Sequence, residues 1–479
     1  MSDEADVRSE LVFEQYYLDC LSQASYLVGD AAAGRAVVVD PRRDVDLYVD
    51  EARRAGVEVE LVIETHFHAD FLSGHLELAR ATGAEIAYGE AAGATEFPSR
   101  KLVDGERIDL GGVWLEIRAT PGHTPESISI VVYEAPSSDA PWAVLTGDTL
   151  FIGDVGRPDL LASVGITSEE LGGMLYDSLH TKLLTLPDET RVFPAHGAGS
   201  ACGKNLSTET QSTIGEQRAS NYALAPMAKE TFVELVTEGQ PATPGYFSYD
   251  ARRNRELHPL LDDHDPPAQM TLDGLLAAKE RGAVVLDTRA AEDFARGHLV
   301  GSVNVGLAGR FAEYAGSVVT PDDRIVLVCE PDTDLESKIR LGRIGYDGVV
   351  GALADPYGVM QSNPEHVATA SRLTAAALAD ARVELGDRLQ IVDVRNPGEV
   401  QDGMLEGATH VPVARLAEES EALDAGAPTV VYCAGGYRSS IAASLLRSRG
   451  FADVSDVLGG YAAVAPIDTA GPGHRSSPP

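Results

Sequence analysis

The sequence predicts an α/β protein of three domains, and three observations carry that reading. The chain has 479 residues, against a prior of about 150 per domain. In its first half, short β-rich apolar runs alternate with helical stretches, the pattern of α/β folds. In its second half one motif recurs at an offset of about 105 residues, too long for a solenoid repeat and the size of a duplicated α/β domain.

The first domain is expected over residues 1–257. Its apolar runs include Ala36-Val37-Val38-Val39-Asp40, Leu61-Val62-Ile63-Glu64 and Ala143-Val144-Leu145-Thr146. Helical patterns run from Val45 to Ala55 and from Ser73 to Thr82, the second stopped by Gly83. The polar, Pro-containing stretch from His258 to Pro267 reads as a linker. The two copies of the repeat follow, expected over 268–362 and 370–468. Val284 to Arg289 matches Gln390 to Arg395, with Asp287 aligned to Asp393 and Gly297 to Gly403. A buried strand then ends at Cys329 in one copy and at Cys433 in the other. The tail from Gly471 to Pro479 is expected to be disordered.

Charge excludes several functions. There are 74 Asp+Glu against 38 Lys+Arg, a net charge of −36, and only six of the basic residues are Lys. Nucleic-acid binding needs a basic face to displace counterions, so it is excluded as a general role. Docking on anionic membranes is disfavoured for the same reason. The acidic residues are diffuse and form no tail. With so little Lys, this reads as adaptation to a salty cytoplasm, where screening removes self-repulsion; the alternative is an ordinary acidic enzyme. Four scattered cysteines, Cys20, Cys202, Cys329 and Cys433, make no disulfide framework. The N-terminus lacks the apolar core of a signal peptide, and no long apolar stretch spans a membrane. A cytoplasmic protein with reduced thiols is expected, and Cys20 is read as packed.

Seven of the twelve His precede residue 260. Thr65-His66-Phe67-His68-Ala69-Asp70 follows an apolar run, and residues at i, i+2 and i+4 of a strand-end loop can converge on one point. Two imidazoles and a carboxylate suit Zn or Fe. Further candidates stand at later strand ends: Pro121-Gly122-His123, Thr146-Gly147-Asp148 and Pro194-Ala195-His196-Gly197. So many His and acids at strand ends, in this order, point to a metal site.

The series HxHxD, PGH, TGD and PAHG resembles the metallo-β-lactamase fold, an αββα sandwich with its metal at one edge, over about residues 10–255. Dinuclear hydrolases of that superfamily read HxHxDH, their last His serving a second metal. Phe71 stands there in this chain and cannot ligate. The resemblance therefore narrows to the mononuclear Fe(II) persulfide dioxygenases. It implies His66, His123 and Asp148 as iron ligands, a two-His-one-carboxylate triad that leaves open positions for substrate sulfur and O2. It makes His68, Asp70 and His196 groups that orient ligands or water, or alternative ligands. Arg157, in Gly156-Arg157-Pro158-Asp159, is a candidate for a substrate carboxylate, or else pairs with Asp159. Cys202, six residues past His196, is a candidate sulfur carrier, or else an inert buried thiol.

Cys433 opens the loop Cys433-Ala434-Gly435-Gly436-Tyr437-Arg438 between a strand and a helical stretch running from Ile441 to Arg449. Loop N–H groups and a helix N-terminus favour thiolate. Gly435 and Gly436 allow the loop to close as a cradle, and Arg438 closes the ring. Four residues separate Cys433 from Arg438. That spacing resembles rhodanese, whose Cys holds a sulfane sulfur, and is one short of the phosphatase loop. Cys329 is followed by Glu330-Pro331-Asp332-Thr333-Asp334, with no Gly pair and several acids that repel an anion. This copy is read as silent, a spacer or interface.

The whole order resembles persulfide dioxygenase–rhodanese fusions. That resemblance implies one Fe(II) per chain, oxidation of a low-molecular-weight thiol persulfide to sulfite with O2, and sulfur transfer to or from thiosulfate in sulfide detoxification. It also implies a homo-oligomer. The alternatives are a zinc thioester hydrolase carrying a rhodanese, and a sulfur-carrier scaffold.

Overall fold

The structure is a computed structural model describing residues 10–135, 140–160, 165–401 and 403–468. The C-terminal tail expected to be disordered lies outside the described residues, as does the acidic N-terminus. The chain divides into two units. One runs to Pro241 and takes in Phe247–Leu261; the other takes Ala242–Tyr246 and the chain from Asp262 onward. The boundary falls inside the stretch read as a linker.

In the first unit the described residues form two six-stranded sheets. The first runs Leu11–Leu18, Gln23–Asp30, Arg35–Val39, Glu58–Ile63, Glu85–Gly89, Arg100–Leu102. The second runs Ser212–Thr213, Arg191–Pro194, Ala143–Gly147, Ile128–Tyr133, Trp114–Ala119, Arg107–Asp109. Side chains alternate faces along a strand, and here both faces are covered. Val37, Val39, Leu61 and Ile63 of one sheet pack against Ile117, Ile130, Val132 and Leu145 of the other. Val38 and Val62 point outward onto Tyr48, Ala52 and Leu78 of the helices Asp46–Ala55 and His75–Thr82. Val131, Val144 and Val192 meet Leu175, Phe232 and Val236 of helices on the far side. Burial on both faces is why these strands read as continuous apolar runs. The layers are helix, sheet, sheet, helix.

The second unit holds two five-stranded parallel sheets of identical order. The first runs Gln269–Met270, Val349–Leu353, Ile325–Val328, Val284–Asp287, Val303–Asn304. The second runs Ser371–Leu373, Val454–Val457, Thr429–Tyr432, Gln390–Asp393, Thr409–His410. The sequence repeat is therefore a repeat of topology. Its matched Asp, Arg and Gly form one device. Arg289 pairs with Asp287 at 2.6 Å and donates to the Gly297 carbonyl at 2.9 Å. Arg395 pairs with Asp393 at 2.6 Å and donates to the Gly403 carbonyl at 2.7 Å. No helix among the described residues is long and apolar enough to cross a membrane.

Candidate metal centre and cysteine loop

The strands Glu58–Ile63 and Ala143–Gly147 end at one edge of the sandwich and deliver His66 and Asp148 there. His123 comes from the loop after Trp114–Ala119. His66, His123 and Asp148 are buried and offer ligand atoms within 4.8 Å of one another. Nε2 of His66 lies 3.9 Å, and Nε2 of His123 3.5 Å, from Asp148 Oδ2. The turn into Asp148 needs glycine. Gly147 has φ +52°, and a Cβ there would lie 2.9 Å from the Thr65 side chain.

The hydrogen bonds behind this group set its tautomers. The Asp40 carboxylate accepts the Thr65 N–H at 2.7 Å and the Thr65 hydroxyl at 2.9 Å. A carboxylate only accepts, so Thr65 Oγ1 is left to accept Nδ1–H of His66, 3.0 Å away. Nδ1–H of His123 donates to the Arg157 carbonyl at 2.9 Å. Both rings therefore carry their Nε2 lone pairs toward Asp148. Nε2 of His66 and Oδ2 of Asp148 have no hydrogen-bond partner although both are buried. Burial, aided by neighbouring His, holds both His below their usual range. Burial opposes charge on Asp148 too, but His196 outweighs it and holds the carboxyl well below its usual range. Two neutral imidazoles, one carboxylate and orphaned donor atoms are the state a divalent cation requires. The residues fit a metal.

A second ring of groups surrounds these three. His196 stands between two carboxylates, Nδ1 2.7 Å from Asp148 Oδ1 and Nε2 2.7 Å from Asp70 Oδ2. Burial opposes its charge, but those carboxylates raise it well above its usual range. Cys202 shares a donor cluster with Asp70 and His196. Burial first, then Asp70 and Asp148, push its thiol up, so Cys202 stands there as a thiol. His68 turns Nε2 to Asp40 Oδ1 at 3.0 Å and Glu64 Oε2 at 3.5 Å. Burial raises Glu64 to about 7. Burial works against His68, yet Asp40 and Glu64 raise it to about 10. Phe71 is buried with its ring 4.3 Å from that of His68. Asp40 and Glu64 were missed in the sequence reading. Their signal is an acid closing an otherwise apolar run, where burial demands a partner.

Arg157 is 1% exposed. Its guanidinium meets both Asp159 oxygens at 2.7 Å and the Ala201 carbonyl at 2.9 Å. Of the two roles read for it, the geometry favours the structural pair, which ties the loop after Asp148 to the loop carrying Cys202. Cys20 is buried, as expected.

In the second unit Cys433 ends the strand Thr429–Tyr432, and the helix begins at Tyr437, earlier than expected, covering Tyr437–Ser448. Arg438 thus lies in the first turn. Gly436, at φ +109°, turns its N–H onto Cys433 Sγ at 3.1 Å. Ser439 Oγ lies 3.6 Å from the sulfur. From behind, Tyr461 N–H donates to the Cys433 carbonyl at 2.6 Å, and a Cβ on Gly460 would come within 2.3 Å of that oxygen. Arg438 does not stand free beside the loop but is paired with Glu399. Nη1 and Nη2 donate to the two Glu399 oxygens at 2.6 and 2.7 Å. Around Cys329, Tyr357 donates to Glu330 at 2.6 Å. Burial first, with Asp334 and Asp287, raises that thiol to about 11.

Two metal-competent sheets with strand-end His and Asp, joined to duplicated α/β domains with strand-end Cys, define a class. The model of the metallo-beta-lactamase superfamily matches residues 18–196. That of the rhodanese-like domain matches 271–353 and 375–465. The chain belongs to the metallo-beta-lactamase superfamily and carries tandem rhodanese-like domains. Among its relatives, the mitochondrial persulfide dioxygenase ETHE1 of Homo sapiens is 30% identical over 218 residues, 44% of this chain and 75% of that protein. Hydroxyacylglutathione hydrolase of Rhodospirillum rubrum is 32% identical over 248 residues, 51% of this chain and 86% of that protein. The beta-lactamase hydrolase-like protein of Agrobacterium fabrum is 30% identical, and the matched part spans 44% of this chain and about half, 52%, of that protein's length. A crystal structure described as a metallo-beta-lactamase from Staphylococcus aureus subsp. aureus COL superposes with a TM-score of 0.65 at 32% identity, over 72% of this chain and 99% of that one.

Proposed function

We propose that this chain is a mononuclear Fe(II) persulfide dioxygenase with a coupled sulfurtransferase site. The observation that carries this is the donor set itself: His66 and His123 present neutral Nε2 atoms to Asp148, the two-His-one-carboxylate pattern of non-haem iron oxygenases. Bound Fe(II) would supply open coordination positions and a path for electrons from the sulfane sulfur to O2. The balanced reaction is RSSH + O2 + H2O → RSH + SO3²⁻ + 2H⁺. The chain's own residues orient the ligands: Thr65 and the Arg157 carbonyl fix the ring tautomers, and the His196 imidazolium holds Asp148 ionised. Cys433 would exchange sulfane sulfur, CysS⁻ + S2O3²⁻ ⇌ CysSS⁻ + SO3²⁻, in a loop whose Gly436 N–H meets the sulfur.

A zinc thioester hydrolase is the second reading, favoured by the 32% identical hydroxyacylglutathione hydrolase. Two features weigh against a second metal. Phe71 fills the place of a ligand, its ring against that of His68, and His196 Nε2 lies 2.7 Å from Asp70 Oδ2, which leaves little room for an ion between them. Metal analysis with an O2 electrode trace on a thiol persulfide separates the two. One Fe per chain, with uptake lost in Asp148→Ala, is expected; two Zn and no uptake overturn the proposal.

A further inference from the structure

The first rhodanese-like domain lacks a loop able to hold an anion, yet it packs against the helix that carries the other domain's loop. Asn304 N–H, on an edge strand of the first domain, donates to Ser444 Oγ at 2.9 Å. The Tyr437 hydroxyl donates to the Gly306 carbonyl at 3.0 Å. Tyr437 lies between Gly436 and Arg438, so the silent domain touches the loop itself.

We infer that Tyr314 of the silent domain is a specificity residue of the Cys433 site, its hydroxyl donating to an oxygen of thiosulfate or sulfite. This rests on Cys433 being the sulfur-carrying nucleophile. Four observations support it. The Tyr314 ring packs edge-on against Tyr437, with centroids 5.5 Å apart. Tyr437, which it touches, stands between Gly436 and Arg438 and is itself anchored to the same domain through the Gly306 carbonyl. Tyr314 itself is only 7% exposed. Finally, Nη1 and Nη2 of Arg438 are engaged by Glu399, so an anion at Cys433 needs another donor. Burial and then Glu313 raise the phenol to about 12, so it keeps its proton at neutral pH. Arg310 stands over the ring at 5.5 Å and is paired with Glu313, so it adds no free cation to this wall.

The test is thiosulfate sulfurtransfer by the full chain. Tyr314→Phe keeps the ring on Tyr437 and removes only the donor. A hydrogen bond to a charged group predicts KM for thiosulfate raised about tenfold with kcat within about twofold. A second readout needs no turnover: the rate of Cys433 alkylation by anionic iodoacetate relative to neutral iodoacetamide falls in Tyr314→Phe, at an unchanged melting temperature. A purely packing role predicts that Tyr314→Phe matches wild type in both readouts while Tyr314→Leu does not, and that result overturns the inference. Cys433→Ser tests the reading beneath it. Persistent transfer in that variant removes both; lost transfer with an unaltered Tyr314→Phe removes only the role of Tyr314.

Discussion

Thr65→Val isolates the tautomer relay. The substitution replaces a hydroxyl by a methyl at nearly constant volume. Thr65 and His66 are each 1% exposed, so no water takes the place of the lost oxygen. Asp40 Oδ1 keeps the Thr65 N–H at 2.7 Å and His68 Nε2 at 3.0 Å, while Oδ2 gives up the hydroxyl it accepted at 2.9 Å. The donor orphaned is Nδ1–H of His66. Leaving a buried donor unpaired costs about 1–3 kcal/mol. The ring escapes that cost by moving its proton to Nε2, which removes the lone pair a metal needs. Either way the free energy is taken from metal binding. Loss of such an orienting partner weakens metal affinity about 10–100-fold, or about 1.4–2.8 kcal/mol, which matches the cost of the orphan. Anaerobic chelator competition reads this directly, with Thr65→Ser as the control that restores the oxygen. A Thr65→Val protein that binds Fe(II) within twofold of wild type would refute the relay.

The two centres separate by mutation: Cys433→Ser is expected to consume O2 with a thiol persulfide at the wild-type rate while losing sulfur transfer. Loss of both activities in that variant would mean the centres are not independent. Asp159→Asn is expected to flatten the acid limb of the stability profile. Burial works to raise the Asp159 carboxyl, but Arg157 outweighs it and the net value is lowered. The pair's contribution is therefore full above an unfolded value of about 3.9 and is lost as pH falls through the depressed folded value. Identical acid midpoints for mutant and wild type, followed by circular dichroism, would contradict this. Molar salt is expected to raise both melting temperature and activity, checked by a potassium chloride series; full stability in dilute buffer would remove the salt-adapted reading.

The sandwich was legible because burial on both faces leaves an unmistakable mark, runs such as Ala36 to Val39 and Leu61 to Ile63 closed by chemistry-bearing residues. The gathering of His66, His68, Asp70, His123, Asp148 and His196 was legible because they follow strand ends, where the fold has no freedom to scatter them; the choice of three among them came from the resemblance alone. The partners were not. Asp40 has φ +51°, a left-handed turn that Asp tolerates better than most residues. Nothing in a single sequence says that this acid faces a histidine 28 positions away. Arg438 read as an open cation, and Arg157 as either open or paired with Asp159, because a sequence counts charges without showing which are already spent. Tyr314 was invisible for a different reason: it belongs to the other copy, and only the packing of the two copies brings its ring onto Tyr437 of the Cys433 loop.

The duplication shows which parts of such a domain are scaffold and which are function. Both copies keep the buried Asp–Arg pair and the glycine carbonyl that receives the arginine, at the same offsets and nearly the same distances. The loop after the Cys diverges, with Glu330-Pro331-Asp332 in one copy and Ala434-Gly435-Gly436 in the other. In a chain of net charge −36, the arginines beside the two centres are bound to acids, Arg157 to Asp159 and Arg438 to Glu399. Anion capture must then rest on aimed dipoles: the Gly436 N–H, the N-terminus of the helix from Tyr437, and the Tyr314 hydroxyl. Such contacts act within about 3 Å, whereas the repulsion of the acidic coat acts over a Debye length of about 10 Å at 0.1 M salt and only about 3 Å at 1 M. Salt therefore removes the long-range opposition and leaves the short-range recognition, so an anionic substrate should gain in kcat/KM with salt while a neutral alkylating agent at Cys433 should not.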